Sequence, residues 1–217
     1  MFLAEIAVAL MRAGRYTDSR GNPQVAIQLA TRRFSVREYR RMIDAGVLAE
    51  DEHVELLDGA IVPMSPTSPR HAAHVARLGE LLRSLLGDRA QVREEKAIDL
   101  EPSTQPEPDL SIVRVRSDFY SGSHPTAGDV LFLVEVADTS LERDRGVKLA
   151  LYARAGIPAV WVLDLPGDRL WVSSAPQGGE YTDPAEFRRS DGDRRFPVPG
   201  VPGVSVTADE VLGPHLG

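Results

Sequence analysis

The alternation of apolar and polar positions along the chain predicts strands joined by helices. Residues 130–137 form a continuous apolar run interrupted only by Glu135, a pattern typical of a strand buried on both faces. Residues 160–165 predict the next strand, and residues 142–155, which are followed by Gly156, predict the helix between them. A strand, a helix and a strand in this order form a right-handed crossover, in which the two strands are parallel.

Three local signals predict further elements upstream. Ser35, with Glu38 three positions later, resembles a capping box and predicts a short helix. The Asp-Gly dipeptide at residues 58–59 lies between two apolar runs and predicts a β-hairpin. Ser68 followed by Pro69 predicts the start of a longer helix. Hairpins on both sides of a crossover unit predict an α/β class fold, a mixed β-sheet flanked by helices.

The two ends of the chain are patterned differently from its middle. Residues 1–30 are less regular, so we expect an N-terminal appendage there and a single domain over residues 31–217. The tail after Gly178 predicts an edge strand near residues 203–206 and a short final helix. No segment reaches the run of about 18–20 apolar residues that a membrane span requires, so we expect no membrane partner.

Composition narrows the classes of function. The chain has 217 residues, no cysteine and a formal net charge of −7 at pH 7. The absence of cysteine excludes thiol catalysis and thiolate metal sites, and it fits a cytoplasmic protein. An acidic chain is not an obvious nucleic-acid binder, so contact with DNA would need a local basic patch or bound cations.

Glu135 is the first candidate for chemistry, because a carboxylate inside a buried strand needs a cation, a proton or a strong donor beside it. Asp109 opens another predicted strand, residues 109–115, and the two carboxylates can share one cation if the strands are neighbours. Hard oxygen ligands favour Mg²⁺ or Mn²⁺. Lys148 lies on the predicted crossover helix, and an ammonium beside such a cation suits phosphodiester hydrolysis.

Each of these residues also has a purely structural interpretation. Asp109 follows a proline and could cap a turn. Lys148 could pair with Asp144 one helical turn earlier. Glu135 could form a structural ion pair with an arginine. The residues taken separately leave these alternatives open.

Three longer segments resemble those of a known family. Residues 106–114 (PEPDLSIVR) are similar to the PEPDLAVVR segment of the Uma-type family of restriction endonucleases, and residues 134–140 (VEVADTS) match its VEVADTS. Residues 148–158 (KLALYARAGIP) resemble its KLPLYARAGVP. The resemblance covers roughly residues 34–171, and the family is part of the PD-(D/E)XK nuclease superfamily.

The resemblance implies a restriction-endonuclease-like core in which Asp109 and Glu135 bind the metal, Mg²⁺ or Mn²⁺. The superfamily pattern has a lysine two residues after the second acid, where this chain has Ala137. The resemblance therefore makes Lys148 the replacement, on the helix instead of the strand. It also implies that Glu55, in the first hairpin, serves as an additional acid.

His71 belongs to the matching part of the first long helix and could reach the same cleft. For Glu55 and His71 an ordinary structural role stays open. The implied function is a Mg²⁺-dependent endonuclease that cuts phosphodiester bonds in DNA. We expect a homodimer, because two cuts in a duplex suit a two-fold assembly. The alternatives are a catalytically silent nuclease-fold module that binds DNA or protein, and a hydrolase of another phosphate ester.

Overall fold

A computed structural model describes residues 14–17, 23–26, 31–49 and 51–214. The chain divides into two units, residues 1–33 and residues 34–217. In the first unit, strands β1 (Gly14–Thr17) and β2 (Pro23–Ala26) pair in antiparallel orientation. The expected appendage at residues 1–30 lies largely outside the described residues and stays a prediction.

The second unit contains the remaining described strands and helices. Its strands are β3 (Val54–Leu57), β4 (Ala60–Pro63), β5 (Gln91–Glu94), β6 (Leu110–Val113), β7 (Val130–Ala137), β8 (Ala159–Asp164), β9 (Arg169–Gln177), β10 (Glu180–Arg188), β11 (Arg195–Pro197) and β12 (Ser205–Thr207). Its helices are α1 (Val36–Asp44), α2 (Pro69–Leu86), α3 (Leu141–Arg143), α4 (Leu149–Arg154) and α5 (Ala208–Leu212). A π-helical turn, Asp144–Lys148, joins α3 to α4, and we call the three segments together the crossover helix.

The central sheet has six strands in the order β10-β9-β8-β7-β6-β5. Strands β7 and β8 are parallel, and the other neighbouring pairs are antiparallel. The crossover helix connects the two parallel strands, as the sequence predicted. The predicted α/β class with a mixed sheet flanked by helices is therefore confirmed.

Local sequence signals account for the elements that precede the sheet. Helix α1 begins after Ser35, whose hydroxyl accepts a hydrogen bond from the Glu38 N–H while the Glu38 carboxylate accepts one from the Ser35 N–H. Helix α2 begins after Ser68, whose side chain caps it. The turn between β3 and β4 has a φ of 48° at Asp58 and 76° at Gly59, the left-handed conformation that tight hairpins require.

The crossover helix differs from the regular α-helix that the sequence predicts. Asp144 and Tyr152 are eight residues apart, so in a regular α-helix they would point in directions about 80° apart. The π turn takes up one extra residue and brings both side chains back to one face. This face of the crossover helix carries three buried side chains, those of Asp144, Lys148 and Tyr152, which are 2%, 3% and 0% exposed. All three can be buried together only if they point in the same direction.

The side chains of β7 alternate between two hydrophobic clusters. Val134 packs into the cluster that contains residues of α2 and α5. Leu133 and Ala137 pack on the opposite face, in the cluster that contains Tyr152 of the crossover helix. By the same alternation Glu135, which is only 2% exposed, faces the crossover helix.

The C-terminal part forms the edge of the central sheet and a small second sheet. The predicted edge strand near residues 203–206 forms as β12, but it pairs with β11 in a separate two-stranded sheet. One edge of the central sheet is β10, in which Pro184 lies opposite Ser173 of β9. Among the described residues, no helix is both long enough and apolar enough to cross a membrane.

Candidate active site

The two acids singled out from the sequence lie on neighbouring strands. Leu110 of β6 is opposite Val134 of β7, so Asp109, one residue before β6, comes level with Glu135. The Val136 N–H donates a hydrogen bond of 2.5 Å to Oδ2 of Asp109, which ties this carboxylate to β7 instead of to a local turn.

Lys148 of the π turn reaches two buried carboxylates. Its Nζ lies 3.3 Å from Oε1 and 3.4 Å from Oε2 of Glu135, and 3.2 Å from Oε2 of Glu55 in β3. Glu55 is 1% exposed and also accepts a hydrogen bond from the backbone N–H of Glu107. The partner of Glu135 is thus a lysine, not the arginine considered above, and Lys148 pairs with carboxylates of other elements.

The ring of Tyr152 is fully buried in the core. Its hydroxyl, however, donates a hydrogen bond to Oε1 of Glu135. Tyr152 follows Lys148 by four residues, so both side chains lie on the same face of the helix. The spacing of four residues is visible in the sequence. It indicates a role for Tyr152 only when the position of Glu135 beside the helix is known.

Lys148 supplies one positive charge, whereas more than one carboxylate lies around it. Burial opposes its charge, but Glu135 and Glu55 outweigh burial and raise the pKa of Lys148, which therefore stays protonated. Burial raises the pKa of Glu135 well above its usual range, and Asp144 adds to this effect while Lys148 acts against it. Burial likewise raises the pKa of Asp144. This region of the protein accordingly favours an additional cation or proton.

His71, in the first turn of α2, faces Asp109. Its Nε2 lies 3.1 Å from Oδ1 of Asp109. Burial opposes protonation, but the hydrogen bond with Asp109 prevails and raises the pKa of His71. One potential ligand atom each from His71, Glu95 and Asp109 lie within 4.8 Å of one another, a spacing that suits a metal ion.

The sequence analysis did not identify Glu95. Its position depends on the end of β5, where Glu95 has a φ of 47° and its N–H donates a 3.0 Å hydrogen bond to the Asp109 carbonyl. A strained backbone of this kind has no reliable sequence signal in a non-glycine residue. One compact set of candidate ligands therefore combines Asp109 with His71 and Glu95. The predicted pairing of Asp109 with Glu135 in metal binding stays a prediction.

These side chains open into one cleft of about 360 Å³. The acidic residues that line it are Glu95, Glu107, Asp109, Glu135, Asp138 and Asp144. The basic residues that line it, apart from His53 and His71, are Lys96, Arg143 and Lys148. Such a surplus of carboxylates attracts cations and repels phosphates, so a nucleic-acid backbone could approach only if a cation were bound.

The chain is similar to a known protein family and to a solved structure. Residues 36–209 match the model of the Uma2 family, which is described as "Putative restriction endonuclease". The fold is similar to that of a crystallised "putative nuclease belonging to DUF820" from Anabaena variabilis ATCC 29413, with a TM-score of 0.62 and 15% sequence identity over 82% of this chain and 97% of that chain. At this identity the likeness concerns the fold alone. No curated protein matches the chain.

Proposed function

We propose, because this chain belongs to the Uma2 family described as "Putative restriction endonuclease", that it is a metal-dependent endonuclease that hydrolyses phosphodiester bonds in DNA. The observation that carries this proposal is the meeting of Asp109, Glu135 and Lys148 in one acidic cleft. Asp109 lies one residue before β6, Glu135 near the end of β7, and Lys148 in the crossover helix. Packing of a hydrophobic core alone does not require two acids and an ammonium at one place.

The donor set fits a hard divalent cation. Asp109, Glu95 and His71 offer two carboxylates and an imidazole within a few ångströms, and Glu135 faces the same cleft. Carboxylate oxygens favour Mg²⁺ or Mn²⁺, and imidazole is tolerated better by Mn²⁺. When bound, such an ion supplies Lewis-acid charge for phosphodiester hydrolysis.

The residues of the chain itself position and balance this charge. The Val136 N–H fixes the direction of the Asp109 carboxylate. Glu55 and Glu135 both contact the ammonium of Lys148, so that the ammonium stays in the cleft as a fixed positive charge. A fixed ammonium can stabilise negative charge that develops on a phosphate without reorganising.

Cleavage of supercoiled plasmid with Mg²⁺ or Mn²⁺ tests the proposal. We expect cleavage by the wild type, and a loss of about a hundredfold or more in Asp109→Asn and Glu135→Gln, since each removes a carboxylate from the proposed cation site. Asp88→Asn is the matched control, because Asp88 is exposed beyond the far end of α2 and should not affect the rate.

Equal cleavage by all four proteins would refute the proposal. Binding of Mn²⁺ and DNA without any cleavage would instead support the alternative of a silent nuclease-fold module. Turnover of a small phosphodiester without cleavage of nucleic acid would identify a different phosphate ester as the substrate.

A further inference from the structure

Tyr152 is held rigidly at the back of the proposed cation site. Its ring is fully buried in the cluster formed with Leu133, Ile157 and Val160. Its hydroxyl donates to Oε1 of Glu135, a residue that is itself 2% exposed. Both partners of this hydrogen bond are therefore confined by packing, which leaves the hydroxyl little freedom to choose another acceptor.

Lys148 by itself does not fix how the Glu135 carboxylate is turned. Its Nζ is at 3.3 Å from one oxygen of Glu135 and 3.4 Å from the other, and at 3.2 Å from Glu55. An ammonium acts as a compact point charge, and here it is shared among these acceptors. A phenol hydroxyl, in contrast, forms one directional bond, which distinguishes Oε1 from Oε2.

We propose that Tyr152 is a positioning residue, which acts through Glu135 by holding Oε1 and leaving Oε2 turned for the cation. This inference rests on the proposed function, since it assumes that Glu135 takes part in cation binding. Partners of metal ligands orient those ligands, and their loss typically costs tenfold to a hundredfold in metal affinity or activity. A phenylalanine would fill the same space, so the hydroxyl is the group that the core packing does not explain.

Titration calorimetry of the full chain with Mn²⁺ is the first test, because it does not depend on cleavage. We expect Tyr152→Phe to weaken Mn²⁺ binding about tenfold or more relative to the wild type. Tyr181→Phe is the matched control, since its hydroxyl donates to the Ile157 carbonyl in the same cluster but contacts none of the proposed ligands. Its Mn²⁺ affinity should equal that of the wild type.

The dependence of plasmid cleavage on metal concentration is the second test. A residue that only orients a ligand should shift the Mn²⁺ concentration for half-maximal rate upward, and excess Mn²⁺ should restore most of the rate. A residue needed only for stability would lower the rate at every Mn²⁺ concentration and lower the unfolding temperature in parallel.

If Tyr152→Phe does not fold, replacing Tyr152 with 4-aminophenylalanine keeps the ring and restores a donor to Glu135. This protein should bind Mn²⁺ within a few-fold of the wild type. Unchanged affinity in Tyr152→Phe, or lost affinity in the folded amino variant, would overturn the inference. A wild type that binds no Mn²⁺ would instead refute the proposed function itself.

Discussion

At the scale of single residues, the main electrostatic feature is that Glu135 and Glu55 share one ammonium, that of Lys148. Both carboxylates are almost completely buried. Buried charges are stable only when they are paired and hydrogen-bonded, and with one ammonium for two carboxylates the ionised form of Glu135 is disfavoured. The protein without a divalent cation is therefore expected to be less stable than its packing would allow.

This imbalance predicts that Glu135→Gln stabilises the metal-free protein. The amide is neutral but can still accept the hydrogen bond of Tyr152. In EDTA we expect the unfolding temperature of Glu135→Gln to exceed that of the wild type by about 2–4 °C, the shift that corresponds to about 1 kcal/mol in a chain of this size. Differential scanning fluorimetry measures this shift.

Addition of Mg²⁺ supplies the internal control. It should raise the unfolding temperature of the wild type more than that of Glu135→Gln, since a cation stabilises a protein in proportion to its binding to the folded state. A Glu135→Gln protein that is less stable than the wild type in EDTA would contradict the surplus of buried negative charge.

Sequence alone located part of this site and could not locate the rest. Asp109, Glu135 and Lys148 could be singled out because a charged residue in an apolar run or beside a strand start is visible in the chain; their catalytic roles stay predictions. Glu95 and Tyr152 could not, because a charged residue after a half-buried strand and a tyrosine in a helix are both ordinary. Their importance comes from neighbours distant in sequence.

At the scale of the elements, the π turn of the crossover helix decides which side chains face Glu135. It lies between Asp144 and Lys148 and keeps Asp144 on the same face as Tyr152 despite a separation of eight residues. In a regular α-helix, two side chains seven residues apart are separated by about two turns. Such a separation would also place Asp144 and Tyr152 on one face. Gly146 lies inside the turn and has nothing within 4 Å of the position where a Cβ would be.

We therefore predict that deletion of Gly146 is tolerated. The helix should become regular, and Asp144 should stay aligned with Tyr152, so metal-dependent cleavage should persist. Insertion of one alanine after Gly146 should turn the two ends of the helix by about 100° relative to each other and lower cleavage on the order of a hundredfold. Plasmid cleavage and circular dichroism of both variants test this prediction.

Gly146→Ala controls for the loss of the glycine itself. It keeps the length of the helix, and it should raise stability by about 0.5–1 kcal/mol, because glycine inside a helix has a high conformational entropy in the unfolded chain. A deletion variant that folds but does not cleave DNA would show that the π turn has a role beyond alignment.

Elements with strong local signals were predictable, and those set by tertiary contacts were not. The capped helices α1 and α2 and the Asp58-Gly59 hairpin follow from their own residues. The π turn does not, because its residue types suit a regular α-helix equally well. Strand β10 is long, exposed and rich in charge, so in the sequence it resembles a loop, and only pairing with β9 makes it a strand.

At the scale of the whole molecule, residues 34–217 contain all the candidate site residues and both hydrophobic clusters that pack against β7. The backbone N–H of Phe34 already bonds to the Gly59 carbonyl at 2.8 Å, and Ser35 caps α1. The first residues of this unit are thus hydrogen-bonded to other residues of the same unit. Whether residues 1–30 act as a separate appendage stays a prediction.

A protein that starts at Phe34 should therefore fold and bind Mn²⁺. We expect a cooperative thermal transition by circular dichroism, and an Mn²⁺ affinity within a few-fold of the full chain in calorimetry. The matched control starts at Tyr39, which removes the Ser35 cap and the first turn of α1, and it should be less stable by about 1 kcal/mol or more. A non-cooperative transition in the longer protein would refute the independence of this unit.

Pro184 in the outermost strand limits how copies of the chain can meet. A sheet edge offers unpaired backbone groups to any passing strand, and this is how many proteins polymerise into fibres. Proline has no N–H to give, so at position 184 the backbone of β10 cannot donate a hydrogen bond to a strand of another copy. A proline in an edge strand is one of the features by which proteins disfavour edge-to-edge pairing. Pro184 therefore works against growth of the sheet from one molecule to the next.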